Sequence, residues 1–308
     1  MAKRGVEDSE RKYRPPSERP LTSWVPYRGV HIDRPWRGPE NEKPWDRVVT
    51  VVIPHLDTSE LLDTCIEAWR LQTVPVNILI VDTGSSSRHL GVLDEWERLA
   101  PDVEVHRLRF KAVIHPSDPV AIAMDLAFSL CTTKFLFATH ADCFPARRDL
   151  IEWMMEEARD NEAPVAGYEI TPREGLETEG WVGHTATLFD MNVMDELGIG
   201  WSQRRLCRIT GMDHEGNNRT SGYPDTEFLV NELSDRLGVK RHIVGKEENF
   251  VTTDDENIIH VRSYASSKLY SPDHHEKAST DMADALARTH ERIERWGRSD
   301  RPEMKEDE

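Results

Sequence analysis

The chain has 308 residues, 38% of them hydrophobic, and carries a formal net charge of −17 at pH 7. This size suffices for one large domain or two small ones, and the acidic balance disfavours tight binding to nucleic-acid phosphates. No run approaches the roughly 18 consecutive apolar residues of a membrane helix, and the first residues show no apolar secretory segment, so we expect a cytoplasmic protein.

The first 46 residues differ in composition from the rest of the chain. Seven prolines interrupt any helix or strand there, and charges of both signs are interspersed, so we predict an extended arm. The arm also contains three tryptophans, Trp24, Trp36 and Trp45. These rings either pack on the domain, join a neighbouring subunit in a homo-oligomer, or are incidental aromatics in a disordered leader.

A strand, a helix and a second strand are predicted after this arm. The run VVTVVI over residues 48–53 is continuously apolar or β-branched, as is typical of a strand buried on both faces. Helix-capping residues begin at Asp57, and apolar residues then recur at helical spacing up to Gln72. Residues 77–81 predict the second buried strand, which Asp82 follows.

Strands and helices continue to alternate. The predicted elements are a helix over 87–99, a strand over 103–108, a helix opened by Asp118 and Pro119, and a buried strand over 134–139. This alternation predicts an α/β fold with a mostly parallel sheet, in which ligands bind beyond the carboxyl ends of the strands. Asp57, Asp82, His140 and Asp142 follow strand ends, so we expect them at one edge of the sheet.

The second half of the chain is more mixed. Strands are predicted over 165–170, 181–189, 241–244 and 257–261, and helices over 190–197, 225–237 and 278–296. Between these elements, residues 211–222 are rich in glycine and polar side chains, which is typical of a mobile loop.

Four segments together resemble family-2-like glycosyltransferases with the GT-A fold. In chain order they are VVTVVIPHLDTSELLDTCIEAWRLQTVPVNILIVDTGSSS, LFATHADC, GYPDTEFL and IIHVR. The likeness covers about Val48 to Ser267, and it rests on the order and spacing of the segments. It implies a GT-A type central sheet flanked by helices within residues 47–270. The nucleotide-sugar-binding half would be 47–145 and the acceptor and catalytic half 146–270, with a C-terminal helix and charged tail over 271–308.

The resemblance assigns the first segment to the donor nucleotide. Asp82 takes the place of the aspartate that contacts the base, while His55 and Leu56 stand where the family usually has a polar residue and an aromatic. The other residues implied for the nucleotide and its diphosphate are Pro54, His55, Asp57, Thr83, Arg262 and Lys268.

LFATHADC resembles the strand that leads into the family's Asp-x-Asp metal motif. Asp142 keeps one carboxylate and His140 replaces the other, while His260 resembles a late metal-ligand histidine of some GT-A enzymes. A carboxylate, imidazoles and phosphate oxygens can together hold a divalent ion. We therefore expect Mn²⁺ or Mg²⁺ at these three residues. The alternative is that Asp142 caps a turn and the histidines are structural.

GYPDTEFL resembles the segment that opens a helix beside the acceptor. Pro224 stands in place of the usual glutamate, and Asp225 aligns with the general base that takes the acceptor's proton in an inverting transfer. Glu227 is the second candidate for the base. A plain helix cap is the alternative role for Asp225. On the acceptor side the resemblance implies Trp181 and His184.

The predicted function is metal-dependent transfer of a hexose from a UDP- or GDP-sugar to an acceptor hydroxyl, with inversion. The acceptor is open between a glycan, a lipid-linked sugar, a protein, a small metabolite and a modified nucleic acid. A nucleotidyltransferase would share the sheet and the metal carboxylates, but it needs a glycine-rich basic loop where this chain has PHLDTSE. A non-catalytic GT-A-like binding module would fit the departures at His140 and Pro224.

Overall fold

The computed structural model describes residues 48–108, 117–170, 178–201, 226–247, 253–261, 264 and 272–299. The strands are β1 Val49–His55, β2 Val76–Asp82, β3 Val103–Arg107, β4 Phe135–Ala138, β5 Cys143–Pro145, β6 Val165–Glu169, β7 Thr187–Asp190, β8 Arg241–Lys246, β9 Thr253–Asp254 and β10 Ile258–His260. The helices are α1 Ser59–Arg70, α2 Ser87–Leu99, α3 Ser117–Leu130, α4 Leu150–Asp160, α5 Met191–Glu196, α6 Phe228–Leu237 and α7 Pro272–Ser299. Across these ranges, none of the helices has both the length and the apolar composition to cross a bilayer.

Seven strands form one sheet in the order β3-β2-β1-β4-β7-β6-β8. All of its described pairings are parallel except those of β7, which runs antiparallel to both neighbours. The chain moves outward from β1 to β3 and then returns to β4 on the other side of β1. The carboxyl ends of β1 and β4 therefore flank a topological switch point, where ligands bind in open α/β sheets. The predicted α/β fold with a mostly parallel sheet is confirmed.

Apolar side chains fill both faces of this sheet. One core contains residues of α1, α2, α4 and α7, and the other contains residues of α3, α5 and α6. Every residue of β1 is buried, because its side chains alternate between the two cores. This two-sided burial explains why β1 reads as a continuous apolar run.

A second, three-stranded antiparallel sheet has the order β5-β10-β9. Its register places His260 opposite Cys143, and the backbone N–H of Val261 donates to the carbonyl of Asp142 at 3.0 Å. Two segments that are more than a hundred residues apart in the sequence therefore meet beside the end of β4.

The structure differs from the sequence prediction in several elements, and the short strands β5 and β9 were not predicted. The strand predicted over 181–189 is formed only by β7, because Val182 makes an isolated bridge and Ala186 has a positive φ of 48° that interrupts extended pairing. Helix α4, whose buried residues recur at helical spacing, was not predicted. The predicted arm over 1–46 and the predicted loop over 211–222 lie outside the described residues.

Candidate functional site

A buried histidine–aspartate pair closes the carboxyl ends of β1 and β2. His55 Nδ1 lies 2.9 Å from Asp82 Oδ1, and the Asp82 side chain is only 2% exposed. The Ser85 hydroxyl donates to the same oxygen, and the backbone N–H groups of Gly84 and Ser85 donate to Oδ2 at 3.2 Å each. Burial acts to raise the pKa of Asp82, but the hydrogen bonds from His55 and Ser85 bring it below its usual value. The carboxylate is therefore ionised at neutral pH.

The other contacts of this pair fix the orientation of the histidine ring. The backbone N–H of Thr58 donates to His55 Nε2 at 3.3 Å, which leaves Nδ1 as the nitrogen that carries the hydrogen. The backbone N–H and hydroxyl of Thr83 both donate to the His55 carbonyl, at 2.8 and 3.0 Å. Pro54 is buried within β1. Four residues predicted to bind nucleotide therefore lie together at this edge.

Asp57 lies in the turn after β1, with a positive φ of 52°. Its backbone N–H donates to the Ser85 hydroxyl at 2.9 Å, and its Oδ1 accepts from the backbone N–H and hydroxyl of Ser86, at 2.8 and 2.9 Å. Burial acts to raise the pKa of Asp57, but the Ser86 hydrogen bonds bring it below its usual value. Unlike Asp82, this side chain is 41% exposed.

Three side chains connect Asp57 to the end of β4. His89 Nε2 lies 3.6 Å from Asp57 Oδ1, and His89 Nδ1 lies 3.9 Å from Glu60 Oε2. The phenol of Tyr264 donates a hydrogen bond to the Glu60 carboxylate. Burial raises the pKa of Tyr264, and the charges of Glu60 and Asp142 raise it further. Contacts therefore run from Asp57 through His89 and Glu60 to Tyr264, and the charge of Asp142 acts on the Tyr264 phenol.

Three histidines and an aspartate form a cluster beyond β4. His260 Nε2 lies 3.8 Å from Asp142 Oδ1. The His140 ring stacks on that of His260, with centroids 5.7 Å apart, and meets the His184 ring edge to face at 4.5 Å. The structure thus brings the three predicted metal residues together, and it adds His184, which was predicted on the acceptor side.

Glu227 completes this cluster on the side of α6. It is buried immediately before the first residue of the helix, and its Oε2 lies 3.2 Å from His184 Nδ1. The backbone carbonyl of Glu227 accepts from the Asn231 side chain at 2.9 Å. The second candidate for the base is therefore connected to His140, a predicted metal residue, through the His184 ring.

The donor atoms of the cluster suit a divalent ion, although no three of the described His, Cys, Asp and Glu side chains already have the geometry of a metal site. Two ligands bound to one ion at 2.0–2.2 Å lie about 3 Å apart. Asp142 and His260, at 3.8 Å, need only a small movement to reach that spacing. The Asp142 carboxylate is a ligand type that suits Mg²⁺ and Mn²⁺, and the imidazoles suit other first-row divalent metals.

Trp181 is placed differently from His184. Its ring packs edge-on against Phe228 at 5.1 Å, and its Nε1 donates to Asp235 at 2.8 Å. These contacts bury the ring in the core beneath α6, so packing explains its presence there. Acceptor binding by Trp181 stays a prediction. Three further predicted residues lie outside the described ranges, namely Asp225, Arg262 and Lys268.

Sequence reasoning missed Glu247, a buried carboxylate directly after β8. Its Oε1 packs so closely on Gly183 that a Cβ at that glycine would overlap it. Because β8 is parallel to the strands at the switch point, Glu247 lies at the same edge of the sheet and beside the backbone that carries His184. An acidic residue three positions after the end of the predicted strand 241–244 was the available signal.

The family model for glycosyl transferase family 2 matches residues 50–224, which is more than half of the chain. No curated protein matches this chain. Among solved structures, a mannosyltransferase from Pyrobaculum calidifontis in complex with GDP-Man and Mn²⁺ is 15% identical, with a TM-score of 0.47 over 87% of this chain and 78% of that one. TarS from S. aureus is 10% identical, with a TM-score of 0.46 over 78% of this chain. The match spans less than half of that TarS chain, 43%.

Proposed function

Because the chain belongs to glycosyl transferase family 2 and is therefore a glycosyltransferase, we propose that it moves a sugar from a UDP- or GDP-sugar to an acceptor hydroxyl, with a divalent metal and with inversion. The observation that carries this proposal is the arrangement of the polar residues from Asp57 to Glu227 across the switch point. It links a candidate nucleotide end, a candidate metal cluster and a candidate base within one edge of the sheet.

The donor nucleotide is proposed to lie over the turns that follow β1 and β2. Backbone N–H groups and small hydroxyl side chains crowd this region, and the exposed carboxylate of Asp57 borders it. The diphosphate would then extend along Glu60 and Tyr264 towards Asp142, following the contacts between the two turns.

Asp142 and His260 are the proposed metal ligands, with His140 as the third. A bound Mn²⁺ or Mg²⁺ would offset the charge of the leaving diphosphate. The chain holds these ligands on short paired strands, because β10 pairs with β5 directly beside Asp142. The stacked His140 ring restricts the orientation of His260.

The acceptor hydroxyl is proposed to approach from the side of α6. Inversion needs a base on the face of the sugar opposite the leaving diphosphate. Glu227 fits this requirement because the His184 ring separates it from His140, and His184 orients its carboxylate. Asp225, two residues earlier, remains the alternative base, and the acceptor itself is left open among the classes given above.

Nucleotide-sugar hydrolysis and nucleotide binding test this proposal. The wild-type protein should hydrolyse at least one UDP- or GDP-sugar, and Mn²⁺ should tighten its binding of the matching diphosphate in calorimetry. Asp142→Asn and His260→Ala should abolish that tightening. His242→Ala is the matched control, because His242 lies on β8, pairs with Glu157 of α4 and should leave the metal effect intact.

Two results would count against the proposal. Wild-type binding that is indifferent to Mn²⁺ and Mg²⁺ would remove the metal. Nucleotide binding without hydrolysis or transfer to any acceptor class would favour the non-catalytic binding module instead.

A further inference from the structure

The Asp82 carboxylate has no acceptor position left for a ligand. A carboxylate offers about four acceptor sites. His55, the hydroxyl and backbone of Ser85, and the backbone of Gly84 donate four hydrogen bonds to it. It is also almost fully buried, so a nucleotide base would have to displace one of these donors. Asp82 therefore acts as an internal support that holds the two turns together.

Asp57 has the opposite properties. Both Ser86 donors bind its Oδ1, and within the described part of the chain no hydrogen bond reaches Oδ2. The adjacent Leu56 is 46% exposed, although large apolar residues are usually buried. An exposed acceptor beside an exposed apolar side chain is suited to a flat ring that carries N–H donors on its edge.

We propose that Asp57, and not Asp82, reads the base of the nucleotide-sugar donor, with Leu56 against the face of the ring. This inference rests on the proposed function, since it assumes that a nucleotide binds at the turns after β1 and β2. It departs from the role that the family resemblance gives to Asp82.

The chemistry of the bases makes the inference specific. Uracil and guanine each present a ring N–H that donates to an ionised carboxylate, whereas cytosine and adenine have an acceptor nitrogen at the corresponding position. A hydrogen bond to a charged group is worth about 1.5–3 kcal/mol, which corresponds to a roughly tenfold to hundredfold preference. Asp57 would therefore select UDP over CDP, and GDP over ADP.

Asp57→Asn is the informative variant. Asparagine tolerates the positive φ of this position well, so the turn should keep its conformation. The Ser86 donors require the amide oxygen, so the amide NH₂ takes the place of Oδ2 and faces the base as a donor. Binding of CDP should then rise relative to UDP, and the UDP/CDP ratio measured by calorimetry should fall by about tenfold or more.

Two further variants distinguish recognition of the base by Asp57 from structural support by Asp82. Leu56→Ala should weaken UDP and CDP equally and leave their ratio unchanged. Asp82→Asn should lower the melting temperature while the folded protein keeps the wild-type ratio. The inference is overturned if Asp57→Asn keeps both the wild-type UDP/CDP ratio and the wild-type GDP/ADP ratio. It is also overturned if Asp82→Asn is the variant that changes these ratios. A wild-type protein that binds no nucleoside diphosphate would refute the proposed function as well.

Discussion

Replacing His55 by alanine should destabilise the protein, because this side chain makes two buried hydrogen bonds. The variant removes the donor to Asp82 Oδ1 and the acceptor of the Thr58 backbone N–H. A hydrogen bond to a charged group contributes about 1.5–3 kcal/mol, and a buried donor left without a partner costs about 1–3 kcal/mol. Asp82 keeps its other three donors, so we expect a loss of about 3 kcal/mol.

Urea denaturation at pH 7 and 25 °C measures this loss. For a domain of 150–250 residues, about 3 kcal/mol corresponds to a fall of roughly 6–12 °C in melting temperature. His242→Ala, which removes a partly exposed pair with Glu157, should cost less than about 1 kcal/mol and serves as the control.

The pH dependence of stability provides a second measurement on the same pair. Because folding lowers the pKa of Asp82, its charge contributes stability that is fully present above the unfolded value of about 3.9. That contribution is lost as the pH falls through the lower folded pKa. The difference in unfolding free energy between wild type and Asp82→Asn should therefore be full at pH 6–7 and shrink below about pH 4.

A His55→Ala variant whose unfolding free energy lies within about 0.5 kcal/mol of wild type would refute the support role of the His55–Asp82 pair and weaken the inference for Asp57.

Two other predictions concern Glu227 and Gly183. Glu227→Gln should lower kcat by about 10²–10⁴-fold with little change in donor binding if Glu227 is the general base; if Asp225→Asn produces that loss and Glu227→Gln does not, Asp225 is the base. Gly183→Ala should cost about 1–3 kcal/mol because its Cβ overlaps Glu247. The double variant with Glu247→Ala should recover most of that stability, and a double variant as unstable as Gly183→Ala alone would show that the overlap is not the cause.

The central strands were predictable because their burial leaves a local signature. A parallel strand covered on both faces must be apolar at every position, and β1 and β2 show this pattern in the sequence. The same reasoning placed Asp82 and Asp142 at strand ends before any contact was known. In the structure β1 extends through Pro54 to His55, because these last residues pair with Val81 and Asp82 of β2 and are buried.

The contacts within the site could not be predicted in the same way. His140, His184 and His260 are separated by 44 and 76 positions, and no local pattern states that their rings meet. The saturation of Asp82 likewise depends on how two turns close over each other. The segment over 181–189 has a strand-like composition, but the positive φ of Ala186 and the close contact at Gly183 prevent a regular strand.

The two ends of the proposed site are held by different kinds of structure. Asp142 and His260 are fixed by paired backbone, because β5 and β10 lie in register beside them. His184 instead belongs to the irregular segment before β7, and its position depends on its contacts with His140 and Glu227. Loops tolerate sequence change better than paired strands do. On the proposed assignment, the segment that carries His184 can therefore vary in sequence while the backbone beside Asp142 and His260 keeps its geometry. This agrees with a sequence that indicates a donor site but does not indicate the acceptor.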